Sequence, residues 1–255
     1  MRRRSSNLNL DQEVLPLDWP QLDIWPPNYK EGLFYDFTGK EKFVGFDIET
    51  EGLNPYHNRR RILSFAVSTK KGKANASYCL HQVDVSDLET LRAYLENPEV
   101  IVIGHNIKYD VNWVRIKFGI KVKCMLFDTQ FAQYLLDENR EDNKLEALVD
   151  ENIPEMRGYK KLIDRDKLKL LPKPDLLLYN NKDADASRRL FHYFIPKLEK
   201  LKLIPLNNLA MEVLPVLSDI ETRGVYLDRE WAKKEQDRLY EVAIEQRLKI
   251  SSLAK

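Results

Sequence analysis

The chain of 255 residues contains little cysteine and little histidine, and neither residue type is clustered. The two cysteines, Cys79 and Cys124, lie far apart without a Cys-x-x-Cys spacing, and the four histidines show no ligand spacing either. This pattern argues against a disulfide framework and against a zinc site, and it fits a reducing compartment.

Long apolar runs are also missing. The basic start, "MRRRSSNLNLDQEV", is not followed by an apolar stretch, and no segment further along is apolar over the length of a membrane span. A secretory signal and a membrane partner are therefore not expected. We expect a cytoplasmic protein, or one in the host-cell cytoplasm if the source is a virus.

An excess of charge of either sign is absent too, because 41 Lys and Arg residues oppose 40 Asp and Glu residues. The net charge of +1 neither supports nor excludes a nucleic-acid partner, so local patches have to decide this question. Hydrophobic residues make up 43% of the chain, which is enough for a packed core.

The order of sequence patterns predicts three regions. Residues 1–40 are rich in proline and aromatic residues and predict an arm that packs onto the body. Between residues 41 and 205, strand patterns come first, then alternate with helical ones, and helices dominate at the end. This order predicts an α/β domain with a mixed central sheet flanked by helices. Residues 206–255 predict a helical extension.

One strand pattern, "FVGFDIETEGL" at residues 43–53, ends in two carboxylates. Side chains alternate along a strand, so Asp47 and Glu49 share a face with their Cα atoms about 6–7 Å apart. Two carboxylates this close repel each other unless a cation lies between them, and Mg²⁺ or Mn²⁺ prefers such oxygen ligands. The alternative is a strand whose end simply leaves the core for solvent.

Two further pairs have helical spacing. Asn106 and Asp110 lie four residues apart at the start of a helix that follows a buried strand. Tyr179 and Asp183 lie four apart on a later helix, where a phenol could hold a water molecule beside a carboxylate. Each pair alone has an ordinary structural interpretation, namely a helix cap with a surface acid and an amphipathic helix. Together the three pairs offer four carboxylates, enough for two divalent ions that activate water, as in a phosphodiester hydrolase.

The three pairs resemble the motifs of the proofreading 3′–5′ exonuclease domain of family A DNA polymerases, in the branch with a tyrosine in the third motif. "FDIETEGL" matches the first motif, "GHNIKYD" the second and "YNNKDADAS" the third. "FDTQFAQYLL" at residues 127–136 agrees as well, and "MEVLPVLSDIETRGVYLD" resembles the segment that leads into the polymerase thumb. The resemblance covers about residues 40–250.

This resemblance implies a ribonuclease H-like exonuclease fold that acts on single-stranded DNA or a frayed primer 3′ end. Asp47, Glu49 and Asp183 would hold one divalent ion, while Asp47 and Asp110 would hold the second. Tyr179 would orient the attacking water with help from Glu49, so the implied catalytic set includes all five of these residues. The residues that would contact the last nucleotides are Thr50, Leu53 as a wedge, His105, Asn106, Lys108 and Tyr109. His105 stands where the family carries a glutamine.

The resemblance also implies a partner. No palm or fingers sequence follows residue 255, so we expect no polymerase activity and expect the missing portion elsewhere, in a longer protein or a separate subunit. Two basic stretches are candidates for DNA contact. Residues 157–173 contain seven Lys and Arg, among them Lys160, Lys161 and Lys167, and residues 58–61 contain three arginines.

Two other functions remain open from the sequence. An exoribonuclease of the RNase D type would share all six motif residues, and hydrolysis of RNA compared with DNA would distinguish it. A catalytically idle module that binds DNA or a partner is the second alternative, which the complete set of acids argues against. A glycosidase with two carboxylates would leave the remaining acids, Asn106 and Tyr179 unexplained.

Overall fold

A computed structural model describes residues 28–33, 36–38, 41–160 and 165–253, without the side chains of residues 165–167. Most of the predicted arm, including residues 1–27, therefore lies outside the described residues. Its described part contributes one strand, and the Tyr29 hydroxyl on that strand donates a 3.0 Å hydrogen bond to Asp185.

Within the described residues, six strands form one mixed sheet in the order β1-β4-β3-β2-β5-β6. The strands are β1 (Asn28–Glu31), β2 (Phe43–Thr50), β3 (Ile62–Lys70), β4 (Lys73–Tyr78), β5 (Ile101–Gly104) and β6 (Met125–Asp128). The β2-β3 and β3-β4 pairs are antiparallel, whereas β1-β4, β2-β5 and β5-β6 are parallel. The predicted mixed sheet is confirmed.

Helices flank this sheet. They are α1 (Val85–Leu95), α2 (Ile107–Phe118), α3 (Thr129–Leu136), α4 (Leu145–Asn152), α5 (Lys173–Lys200), α6 (Ile204–Arg223) and α7 (Arg229–Leu253). Two short 3₁₀ turns at Pro154–Met156 and Arg165–Leu170 precede α5. The long helix α5 begins directly after Pro172, with Pro174 in its first turn, where a missing backbone N–H costs nothing.

The two faces of β2 pack against different partners. Phe46 and Ile48 point into the main core, where they join side chains of α1 and α2 such as Leu91 and Val111. The opposite face carries Phe43, Gly45, Asp47 and Glu49 and faces α5. A Cβ atom at Gly45 would overlap the carbonyl oxygen of Ala184, so the missing side chain lets α5 cross directly over β2.

The helical extension packs onto the body through α6 only in part. Leu214 of α6 belongs to the main core, and Arg115 of α2 donates a 2.6 Å hydrogen bond to Ser218. None of the residues described for α7 is buried. The predicted division into residues 1–40, 41–205 and 206–255 stays a prediction. Among the residues the structure describes, no helix combines the length and apolar character needed to cross a membrane.

Candidate active site

The first two acids lie on the face of β2 that α5 covers. Asp47 stands opposite Ala66 and Glu49 opposite Ser64 of β3, so the neighbouring strand leaves space above both carboxylates. Asp47 is half-buried and Glu49 is 8% exposed. The strand pairing shifts by one residue directly after Glu49, which ends the regular sheet at this point. The two acids are therefore part of a covered site, and the alternative of a solvated strand end is wrong.

The close crossing of α5 over β2 brings the third motif to these acids. Asp183 and Tyr179 are 4% and 3% exposed, as expected for residues four apart on the buried face of one helix. Carboxylate oxygens of Asp47, Glu49 and Asp183 all lie within 4.8 Å of one another. Three carboxylates from two elements thus form a single cluster of oxygen ligands.

The side-chain carboxylate of Asp110 contacts the backbone of the same strand. Strand β5 pairs with β2 only along Phe43–Gly45, so the β5 side of β2 is open beyond that point. There Asp110 of α2 accepts a 3.1 Å hydrogen bond from the N–H of Ile48, between the two acids of β2. Asp110 is 4% exposed, so it is not a surface acid.

Burial and neighbouring carboxylates raise pKa values within the site. Removal from water and the neighbouring carboxylates of Asp183, Glu49 and Asp110 raise the pKa of Asp47 well above its ordinary value. Burial likewise raises the pKa of Asp110, against the stabilising effect of the Ile48 N–H on its charged form. The cluster is therefore strained by like charges in a way that a cation would relieve.

The structure adds three contacts that sequence reasoning missed. Asn180 donates a 2.7 Å hydrogen bond to Asp47, Tyr159 donates one of 2.5 Å to Asp183, and the Lys160 ammonium contacts Asp183 at 2.5 Å. A signal existed for Asn180, because it lies three residues before Asp183 on the same helix. Tyr159 and Lys160 lie outside every recognised motif, and nothing in their spacing indicated the site.

The position of Lys160 corrects the interpretation of the basic stretch 157–173. Lys160 is 7% exposed and its charge is paired inside the site, so it is not part of a surface path for DNA. Lys161 lies outside the described residues, and so does the side chain of Lys167. At residues 58–61, Arg61 is paired with Glu51.

Two of the predicted nucleotide contacts are held together beside the cluster. The hydroxyl groups of Thr50 and Tyr109 lie 2.6 Å apart and share a hydrogen bond, and the Tyr109 hydroxyl also donates to the carbonyl oxygen of Gly52. The next side chain, Leu53, is 82% exposed. This arrangement fixes the turn after β2 and projects an apolar side chain from it.

His105 and Asn106 connect the end of β5 to α2. The His105 ring and the Thr129 hydroxyl share a 3.0 Å hydrogen bond. Asn106 adopts a left-handed backbone conformation with φ of 58° and makes no side-chain cap to the helix. Instead, Asp128 accepts 3.0 Å hydrogen bonds from the N–H groups of Asn106 and Ile107, so an acid outside the predicted set anchors the second motif.

Lys108 has a partner from the helical extension. Its ammonium forms an ion pair with Glu221 of α6, which also accepts a 2.9 Å hydrogen bond from Asn112. The Tyr56 hydroxyl donates to the backbone carbonyl of the same glutamate. A predicted nucleotide contact is therefore neutralised by a residue outside the predicted exonuclease domain.

Asp185, which lies two residues after Asp183, serves the framework and not the carboxylate cluster. It accepts hydrogen bonds from Tyr29 and Ser68 and forms an ion pair with Arg189 at 2.6 Å.

Comparison with known sequences identifies relatives of this chain. The family model of the 3′–5′ exonuclease domain of family A DNA polymerases matches residues 34–199, well over half of the chain. The chain is 29% identical to the DNA polymerase of Escherichia phage T5 over 220 residues, which cover 77% of the chain and 25% of that polymerase. It is 27% identical to DNA polymerase I of Borreliella burgdorferi over 208 residues, which cover 76% and 22%. The chain thus spans a quarter or less of the length of these relatives.

Solved structures that share this fold include nucleases. NrnC of Brucella melitensis, bound to pGG, superposes with a TM-score of 0.64 at 21% identity, covering 78% of this chain and 94% of that one. Escherichia coli RNase D superposes with a TM-score of 0.58 at 14% identity, covering 71% and 46%. The predicted ribonuclease H-like exonuclease fold is confirmed.

Proposed function

Because the chain belongs to the 3′–5′ exonuclease family of family A DNA polymerases, we propose that it hydrolyses DNA from the 3′ end as a proofreading exonuclease. It would release one nucleoside monophosphate at a time from a single strand or a frayed primer end. The observation that carries this proposal is the cluster of Asp47, Glu49 and Asp183, with carboxylate oxygens within 4.8 Å of one another.

The donor set fits divalent ions. All of its ligand atoms are carboxylate oxygens, which Mg²⁺ and Mn²⁺ prefer, and burial together with the neighbouring carboxylates raises the pKa of Asp47, an effect that a bound cation would oppose. Asp47, Glu49 and Asp183 would hold one ion, and Asp47 with Asp110 the second. Two divalent ions bound there would activate water and stabilise the negative charge on the leaving oxygen.

The other residues would position the reacting groups. The Tyr179 hydroxyl would orient the attacking water, assisted by the Glu49 carboxylate. Asn180 holds Asp47 through its 2.7 Å hydrogen bond, which fixes the carboxylate shared by both proposed ions. Leu53 would separate the terminal base from its neighbours, since this exposed apolar side chain projects from the turn after β2.

The remaining residues predicted to contact nucleotides would bind the same 3′ end of the substrate. Thr50 and Tyr109, joined by their 2.6 Å hydrogen bond, would contact the terminal sugar and phosphate. His105 and Asn106 lie in the loop between β5 and α2, and Lys108 lies in the first turn of α2; all three would contact the neighbouring nucleotides. For Lys108, this role requires its exchange from Glu221 to a phosphate.

A polymerase portion is the proposed partner. The relatives are DNA polymerases of which the chain spans only a quarter or less. The helix α7 exposes large apolar side chains, among them Trp231 at 63% and Leu248 at 66%, as expected for the start of a thumb that packs against further polymerase segments.

The first test is digestion of a 5′-labelled single-stranded DNA oligonucleotide with Mg²⁺ or Mn²⁺, beside an RNA oligonucleotide of the same sequence. EDTA and the Asp47→Ala variant serve as controls. We expect a metal-dependent ladder that shortens from the 3′ end of the DNA. Asp47→Ala should remove this activity and leave the far-UV circular dichroism spectrum unchanged.

The RNA arm decides between DNA and RNA as substrate. Shortening of the RNA with intact DNA would support the exoribonuclease alternative. This alternative is worth testing because RNase D, an exoribonuclease, shares the fold. If folded protein cleaves neither substrate, the idle binding module is the better interpretation. Full activity of Asp47→Ala would contradict the assignment of the carboxylate cluster.

A further inference from the structure

Lys160 is a buried cation in direct contact with the proposed metal ligands. Its Nζ atom lies 2.5 Å from Oδ2 of Asp183, and the side chains of both partners are 5% exposed. A charge in such surroundings is stable only when it is paired, because the loss of its hydration costs several kcal/mol. Lys160 and Asp183 therefore depend on each other in the conformation described.

The residue before Lys160 takes the second oxygen of the same carboxylate. The Tyr159 hydroxyl donates a 2.5 Å hydrogen bond to Oδ1 of Asp183. The Lys160 ammonium also lies 5.6 Å from the ring centre of Tyr159 and 5.2 Å from that of Tyr179. Aromatic faces stabilise a cation, so two tyrosines hold the ammonium at the carboxylate cluster.

The charge of Lys160 acts on the whole cluster. Carboxylate oxygens of Asp47 and Glu49 lie within 4.8 Å of an oxygen of Asp183, so the ammonium stands at a cluster of three acids. It opposes the rise in the pKa of Asp47 that burial and the other carboxylates cause. In this respect it does what a metal ion at the same ligands would do.

We infer that Lys160 is an internal counter-cation that holds Asp183 until a divalent ion replaces it at this carboxylate. This inference rests on the proposed function, since it requires that ions bind at Asp183. Lys160 acts through Asp183 and is a positioning residue: it stabilises the cluster without an ion and weakens the affinity of the site for one. A nucleic-acid phosphate offers the released ammonium a new partner, so metal binding is favoured when substrate is present.

A purely structural ion pair predicts something different. Replacement of Lys160 would then lower stability and leave the affinity for divalent ions unchanged. A counter-cation that competes with the ion predicts tighter binding after its removal, since the ion no longer has to displace a positive charge. Metal affinity therefore separates the two roles, and it can be measured without substrate.

The test is titration of the metal-stripped full chain with Mn²⁺, with free Mn²⁺ followed by electron paramagnetic resonance. We expect Lys160→Met, which keeps an unbranched stem, to bind Mn²⁺ at least about tenfold more tightly than the natural sequence. Lys160→Arg retains the charge and should stay within about threefold of the natural sequence. Tyr159→Phe is the matched control, because it removes a contact to Asp183 without changing charge.

Thermal melting supplies a second readout. In EDTA, Lys160→Met should melt at a lower temperature than the natural sequence, because its carboxylates have lost their cation. Saturating Mn²⁺ should raise its melting temperature by more than it raises that of the natural sequence. If Lys160→Met does not fold in EDTA, Lys160→Gln provides an uncharged side chain that still donates a hydrogen bond to Asp183.

Unchanged or weaker Mn²⁺ binding by the uncharged variants would overturn the inference. So would tightening by Tyr159→Phe as large as that by Lys160→Met, because charge would then not be the cause. Failure of the proposed function looks different: the natural sequence itself would bind no Mn²⁺ and cleave no nucleic acid. If it binds and cleaves while Lys160→Met binds no more tightly, only the role of Lys160 is refuted.

Discussion

The backbone N–H of Ile48 donates a 3.1 Å hydrogen bond to Oδ1 of Asp110, across 62 positions of sequence. Ile48 lies between Asp47 and Glu49, so this one bond joins the second motif to the centre of the first. It forms because β5 pairs with β2 only as far as Gly45, which leaves the Ile48 N–H without a strand partner on that side.

This bond allows the fold and the chemistry of Asp110 to be separated. Asp110→Asn retains an oxygen for the Ile48 N–H, whereas Asp110→Ala leaves that buried donor unpaired. We expect Asp110→Ala to be less stable than Asp110→Asn by about 1–3 kcal/mol, from urea unfolding in EDTA. Both variants should hydrolyse DNA at least about 100-fold more slowly, because both lose the carboxylate. Equal stability of the two variants would mean that the bond does not hold α2 to β2.

The raised pKa of Asp47 predicts that, without metal, the carboxylate cluster lowers the free energy of unfolding by an amount that depends on pH. An acid whose pKa is higher in the folded chain binds its proton more tightly when folded, so its contribution to stability declines as pH rises above its ordinary pKa of 3.8. Asp47→Asn removes this group and can still accept the hydrogen bond from Asn180. In EDTA, the free energy of unfolding of Asp47→Asn should increasingly exceed that of the natural sequence between about pH 4 and pH 7.

Comparison of these two proteins cancels the other titrating groups, since both share them. The difference belongs to the carboxylate cluster as a whole, because Asp47 and Asp183 influence each other. Chemical denaturation at a series of pH values measures it directly. A difference that stays constant or shrinks with rising pH would show that the carboxylates are not strained in the metal-free protein.

The ion pair between Lys108 and Glu221 predicts that α6 moderates DNA binding. Glu221→Gln should release Lys108 and tighten the binding of a single-stranded oligonucleotide in EDTA about two- to fivefold. The slope of log K against log salt should become steeper by about 0.7, the value for one additional phosphate contact on a single strand. Fluorescence anisotropy over a range of salt concentrations gives both quantities.

Glu235→Gln is the matched control for this experiment. Glu235 forms an exposed ion pair with Arg238 on α7, so its replacement changes the net charge by the same amount. Identical salt slopes for the two variants would indicate a general charge effect and no specific release of Lys108.

Local regularities explain why much of the site could be predicted. The alternation of a strand places Asp47 and Glu49 on one face, and the repeat of a helix places Tyr179 and Asp183 on another. Gly119 and Gly224 likewise end α2 and α6, because glycine tolerates the positive φ angle that a helix C-terminus requires. These features depend on the backbone geometry of a few consecutive residues, which the sequence specifies directly.

Lys160 shows where local reasoning fails. In the sequence it belongs to a basic stretch that is typical of a solvated surface, yet its ammonium is buried against Asp183. Whether a lysine points to solvent or into a site depends on the path of the chain before α5, and no periodicity encodes that path. The same holds for Lys108, whose partner Glu221 lies 113 positions away.

The sequence by itself determined which residue types carry the chemistry, their order along the chain and the face of each element that presents them. The tertiary structure alone decided how those faces meet: α5 crosses β2 at Gly45, Asp110 reaches Ile48, and Lys160 neutralises Asp183. The physical reason is the distance along the chain over which each feature is determined. Side-chain direction follows from torsion angles within one turn or strand, whereas contacts between elements depend on the packing of the entire core.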